Sequence, residues 1–324
     1  MDKTNFTAVE LVYPPISSQE AYWLREEGDV EARVRTSDFY MIGARAESLF
    51  LDFEEDVDAL TLKFKITAGH LVDDVLIRVL DLPEVKRTGF EALAIETGQK
   101  IVRLWDIVDP GNPQPRLLDW FTTEKLIWDV GRGTSGIEGL SRQREFATYD
   151  LLYVGIAKKG DTYDRLLAQG HRTHADILAN ERQRLEGART ADEVILFLCH
   201  TPHVLIQTLD FTSLADDQDI FEDLDAKRVV ADAEKAFVSL LKPNYNKTKY
   251  GNYPQGKDGL AQSGLVRYGY SIAEELIFLT PTGRFEGGRD RATGFLTNEA
   301  DAIFVEGGEV EFFDASEFQL GQQP

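Results

Sequence analysis

The stretch Tyr149–His174, YDLLYVGIAKKGDTYDRLLAQGHRTH, constrains the fold most, because it sets three elements in order within 26 residues. Leu151–Ile156 is an almost unbroken apolar run, as a strand covered on both faces must be. Lys158, Lys159 and Gly160 then make a basic turn, and Tyr163–Gln169 reads as a helix carrying Arg165. A strand, a basic turn and a helix start together suit the binding of an anion.

The chain around this stretch alternates in the same way. Lys125–Val130 reads as a strand, Gly131–Gln143 as a loop, Ile177–Leu185 as a helix and Val194–Cys199 as a buried strand. Ala226–Leu241 is predicted to be a helix, apolar at Val229, Val230, Ala233, Phe237, Leu240 and Leu241, and stopped by Pro243. Such alternation predicts a mixed α/β unit. Upstream, Phe39–Ile42, Leu49–Phe53, the alternating Leu60–Thr67 and Val75–Leu80 predict a β-rich region, with Phe53–Asp58 as an acidic turn. Phe90–Thr97 and Ile101–Val108 fit either two strands or a helix and a strand. Asp109–Pro115, with three prolines and a glycine, breaks any regular element and marks a domain boundary. Past the linker-like Gly251–Gly264, strands are expected at Glu275–Leu279, Asp301–Val305 and Glu309–Phe313, the last two joined by Gly307-Gly308. The expected class is α+β, in segments 1–115 (β-rich), 116–250 (mixed) and 251–324 (hairpin-containing).

The net charge of −21 argues against broad contact with a nucleic-acid backbone. Its distribution matters more. Residues 1–124 carry −11, residues 125–250 carry −3 and residues 251–324 carry −7. Seven acids and no base fall within Asp210–Asp225, so the rest of the middle segment is +4. One cysteine, Cys199, excludes an internal disulfide and fits a reducing compartment. Without a signal-like start or a run of 18 apolar residues, a cytoplasmic protein that does not enter the membrane is expected.

Within this middle segment, Tyr153-Val154-Gly155 on a strand is followed by Arg165 on the next helix. Glu234 and Asn246 then come in AEKAFVSLLKPNYN. These four elements in this order resemble the GIY-YIG nuclease family, over roughly residues 125–250. The resemblance implies a small domain with a three-stranded sheet and flanking helices. It also implies Mg²⁺- or Mn²⁺-dependent endonuclease activity on the phosphodiester bonds of nucleic acid, DNA rather than RNA. The acidic flanks would then serve a protein partner.

Each residue type has a chemical reason. A planar guanidinium, Arg165, matches the non-bridging oxygens of a phosphate in bidentate fashion. Glu234 offers a carboxylate oxygen to a hard cation that keeps most of its waters. By resemblance, the Tyr153 hydroxyl helps to make or orient the nucleophile, and Asn246 ties the chain after the helix to the site. His171, shortly after the arginine, is a candidate base or phosphate contact. His171 and His174 are spaced as on one helical face but lack a third ligand with zinc geometry, while His200 and His203 read as structural.

The chain departs from the pattern at the family's first motif, a Gly-Ile-Tyr strand about a dozen residues earlier, whose tyrosine belongs to the site. No such triplet occurs here. Trp128 lies near that place but has no hydroxyl, and Gly136-Ile137-Glu138 lies in polar surroundings. Tyr149 and Tyr163 are the candidates to replace the missing phenol. A catalytically impaired binding protein of the same fold and an acidic decoy that imitates DNA are the competing classes.

Overall fold

Two runs of apolar residues, Phe39–Ala44 and Val194–His200, form adjacent antiparallel strands at the centre of the molecule. All of Phe39–Ala44 is buried, as are the first six residues of Val194–His200, so both faces of the sheet are covered. The computed structural model describes residues 2–107, 114–157, 161–168, 170–208 and 224–320. Its architecture is α+β and dominated by sheet.

Among the described residues the largest sheet has 11 strands, nine on one path and two, Ile16–Ser17 and His203–Gln207, paired onto Val194–His200 and Lys3–Leu11. Its order runs Gly283–Glu286, Ile277–Thr280, Thr148–Ile156, Phe39–Ala44, Val194–His200, Lys3–Leu11, Arg267–Ile272, Ala302–Glu306 and Glu309–Phe313. Strands from all three sequence segments thus share one sheet. Between Phe39–Ala44 and Thr148–Ile156 the chain builds two further antiparallel sheets. One, of four strands, comprises Ser48–Asp56, Thr61–Ala68, Leu71–Arg78 and Ile137–Gly139; the other, of three, comprises Leu93–Thr97, Ile101–Asp106 and Arg116–Thr122.

The helix Ala226–Leu241 spans the residues expected and lays Val229, Ala233 and Phe237 on one face of the large sheet, with Phe237 5.7 Å from Phe39 between ring centroids. The other face is covered by Val30, Val34, Tyr163, Leu166, Leu167 and Ile177. The terminal hairpin forms at Ala302–Glu306 and Glu309–Phe313, around Gly307 and Gly308, both with positive φ.

Several local expectations are corrected. Lys125–Val130 is not a strand but part of the helix Thr123–Gly131, whose N-cap Thr122 accepts a bond from the Lys125 N–H. A short apolar run fits either period, and the cap decides. The second helix is Arg172–Asn180, ending before Leu185. Of Phe53–Asp58 only Val57 and Asp58 lie in the turn, since the strand runs on to Asp56 with a register shift between Leu51 and Glu54. Ile137–Gly139 is an edge strand paired with Leu71–Arg78, so Gly136-Ile137-Glu138 belongs to the inserted sheet. Lys158, Lys159, most of the Asp109–Pro115 breaker and most of the Asp210–Asp225 acidic loop lie outside the described residues.

Candidate functional site

Thr148–Ile156 and Phe39–Ala44 pair with Gly155 opposite Tyr40 and Tyr153 opposite Ile42, and the register shifts between Leu151 and Tyr153. Side chains alternate between faces along a strand, and one irregular step changes which face they reach. Tyr149 therefore packs into the core on the helix Ala226–Leu241 side, 4.9 Å from Phe197, while Tyr153 turns to the opposite face beside Tyr40. The two rings lie 5.9 Å apart. Glycine is required at 155, because a Cβ there would fall 2.6 Å from the Tyr40 hydroxyl and 2.6 Å from Tyr153 Cε1.

Arg165 reaches this pair from a short stretch of π-helix, Asp164–Ala168, a form often found at functional sites. Asp161 and Asp164, its obvious local partners, are taken instead by Arg35, which pairs with both. Arg165 Nη1 donates to the Ile156 carbonyl at 2.9 Å and Nη2 to His171 Nε2 at 3.1 Å, with Cζ 5.8 Å from the Tyr40 ring centroid. Among the described residues no carboxylate pairs with Arg165, and its buried Nε has no partner.

His171 closes the cluster, with its ring 5.9 Å from Tyr40 and 5.5 Å from Tyr153. Nε2 accepts from Arg165 and, at 3.5 Å, from the Tyr40 hydroxyl. With Nε2 accepting, the proton of the neutral ring sits on Nδ1, which is buried and unpartnered among the described residues. Burial, helped by the Arg165 charge, pushes the His171 pKa down to about 4. Burial also lifts the Tyr40 phenol well above its ordinary value, and that of Tyr153 upward, with the negative charge of Glu234 adding to both.

Glu234 projects from the helix Ala226–Leu241 and is buried, where most glutamates are solvated. The Tyr250 hydroxyl donates to Glu234 Oε2 at 3.5 Å, and burial together with that carboxylate pushes the Tyr250 phenol up to about 12. Asn246 lies just past the helix, after the left-handed Lys242 and Pro243. Its amide satisfies both backbone groups of Val154: Oδ1 accepts from the N–H at 2.9 Å and Nδ2 donates to the carbonyl at 2.7 Å. With the Tyr245 N–H donating to the Leu152 carbonyl, this segment covers the strand edge beyond the Thr148–Asp150 pairing to Ile277–Thr280.

The structure therefore brings together Tyr153, Arg165 and His171, with Glu234, from the helix on the other face, near enough for its charge to raise both phenols and Asn246 anchoring the Tyr153 strand. It adds Tyr40 and Tyr250, which sequence reasoning missed. The available signal was a second buried run, Phe39–Ala44, that also carries a tyrosine and a glycine. The proposed replacements do not join: Tyr149 faces the other core, and the Tyr163 hydroxyl donates to the Arg25 carbonyl. Trp128 packs with the Tyr149 core and lies under Arg132. His174 bonds to Ser18 Oγ at 2.8 Å, away from His171, and His200 pairs with Glu10.

Among the described residues no group of three or more His, Cys, Asp or Glu side chains is arranged to hold a metal ion. Glu234 alone, with hard oxygens of Tyr250 and the paired phenols nearby, fits a cation that keeps most of its own waters, as Mg²⁺ does. No helix among the described residues is long and apolar enough to cross a membrane. No family model, no curated protein and no solved structure matches the chain.

Proposed function

We propose that the protein is a divalent-metal-dependent phosphodiesterase of the GIY-YIG type, cutting nucleic acid at the cluster around Arg165. The observation that carries this reading is a guanidinium with no carboxylate partner among the described residues, set against two phenols, a neutral imidazole and a buried carboxylate. An arginine so held is an anion receptor, and its bidentate fork suits a phosphate. The antiparallel tyrosine pair also supports it, since Tyr40 supplies the phenol that the sequence motif lacked.

Arg165 takes the non-bridging oxygens of the scissile phosphate. The Tyr40 phenol, protonated at neutral pH and donating to the neutral His171 Nε2, keeps its oxygen free to accept a hydrogen bond from the attacking water and orient it. Asn246 holds the strand that presents Tyr153. When bound at Glu234, Mg²⁺ or Mn²⁺ supplies positive charge against that developing on the phosphate. DNA is the expected substrate.

The test is incubation of labelled single- and double-stranded DNA and RNA with Mg²⁺ or Mn²⁺. Wild type should cleave, while Glu234→Gln should lose at least a hundredfold in rate. Cleavage that survives Glu234→Gln overturns the metal assignment, and none by wild type on any substrate overturns the activity.

A further inference from the structure

In a chain of net charge −21, residues 235–257 hold five lysines and no acidic residue, the longest acid-free stretch of the sequence. That stretch begins within the helix just after Glu234, leaves it past Leu241 and returns to it through the Tyr250 hydroxyl. The returning loop encloses an open groove of about 490 Å³, lined by Lys235, Lys249, Tyr250, Asn252, Tyr253 and Asp258 among others. Ligand sites commonly measure about 300–1,000 Å³, so the groove holds a nucleotide-sized group.

Its lining is polar and fixed. The Lys235 ammonium is nearly buried and pairs with Asp258. Lys249 Nζ donates to the Pro243 and Lys242 carbonyls. The hydroxyls of Tyr250 and Tyr253 are both spent inward, on Glu234 and on Asp232, the latter at 2.7 Å, so both half-buried rings are anchored at the groove wall. Anchored aromatic rings beside cationic side chains are how single-stranded nucleic acid is commonly held, by stacking and by charge.

We infer that this groove is the subsite for an unpaired nucleotide next to the scissile phosphate, with its base against Tyr250 and Tyr253 and its phosphate toward Lys249 and Lys235. The inference rests on the nuclease reading and names its substrate as single-stranded. A duplex would set its second strand, with a charge every 1.7 Å or so of axis, against a chain that is acidic almost everywhere else.

Gly251 permits a test without repacking. It lines the groove, and a Cβ added there meets nothing within 4 Å. Gly251→Asp and Gly251→Lys, each in the full chain with Glu234→Gln to prevent cleavage, are titrated against a fluorescein-labelled single-stranded DNA decamer and its duplex, followed by anisotropy. A single charge at this range shifts affinity by about tenfold. Gly251→Asp should raise the single-strand Kd by about that factor and Gly251→Lys should lower it, with smaller shifts for the duplex. If wild type cleaves but both variants keep the parent Kd within twofold, the subsite is wrong and the nuclease reading stands. If wild type cleaves nothing yet the two variants move single-strand binding in opposite directions, the groove stands and the nuclease reading falls. Larger shifts for the duplex overturn the single-strand assignment, and no single-strand binding by any chain overturns the groove.

Discussion

Tyr40 and Tyr153 stand side by side, 5.9 Å between ring centroids, although the chain builds two complete sheets between them. Neighbouring strands hold the pair, and Gly155 makes room for it. The Glu234 charge raises both phenols, and the Tyr40 hydroxyl reaches His171.

If the Tyr40 hydroxyl orients the attacking water, Tyr40→Phe should lower kcat by about a hundredfold or more while leaving the ring in place. Thermal unfolding should move by only a few degrees. A Tyr40→Phe chain that cleaves at the wild-type rate removes this hydroxyl from the mechanism.

Arg165→Lys keeps the charge but not the fork, so cleavage should fall by about 10²–10³-fold, the usual loss for one oriented donor at a transition state. Arg35→Ala is the subtler probe. It frees Asp161, four positions before Arg165, and Asp164, next to it, and the released carboxylates should compete for the guanidinium and weaken phosphate binding. Measuring KM for both variants separates loss of the receptor from competition for it.

His171 and His174 both have pKa values pushed down to about 4, His171 first by burial and then by Arg165, His174 by burial. The unfolded chain binds their protons at the ordinary value of about 6.5. Their contribution to stability is therefore fully present above that value and is lost as pH falls from there through about 4. The melting temperature should fall over this window, and the fall should be shallower in His174→Gln. For activity, no acid limb near pH 6.5 should arise from His171, which stays neutral down to about pH 4. A limb near 6.5 that disappears in His171→Gln would contradict this state of the ring.

Asn246→Ala leaves the Val154 N–H and carbonyl without their side-chain partners. Each buried orphan costs about 1–3 kcal/mol, so urea unfolding should show a loss of about 2–4 kcal/mol. Gly155→Ala should cost about 1–3 kcal/mol by overpacking and should reduce cleavage by separating the tyrosines. Unchanged stability in Asn246→Ala would mean that water replaces the amide.

Much of this was legible locally. The helix Ala226–Leu241 has an apolar stripe and a Pro243 stop, and Val194–Cys199 is an unbroken apolar run. The order Tyr153, Arg165, Glu234, Asn246 could be read by resemblance. Short-range pattern was ambiguous at Lys125–Val130, where the Thr122 cap selected helix.

What only the tertiary structure decided was who meets whom. The second phenol beside Tyr153 comes from Phe39–Ala44, because strand pairing bridges an insertion of any length while periodicity reports only a residue's own strand. The register shift between Leu151 and Tyr153 sends Tyr149 to one face and Tyr153 to the other, which alternation alone would have put together. Arg165 has no carboxylate partner among the described residues because Arg35, from another helix end, takes its neighbouring acids. Residue types and local periods lie in the sequence, but pairing, register and competition for charge depend on distances that exist only once the chain is folded.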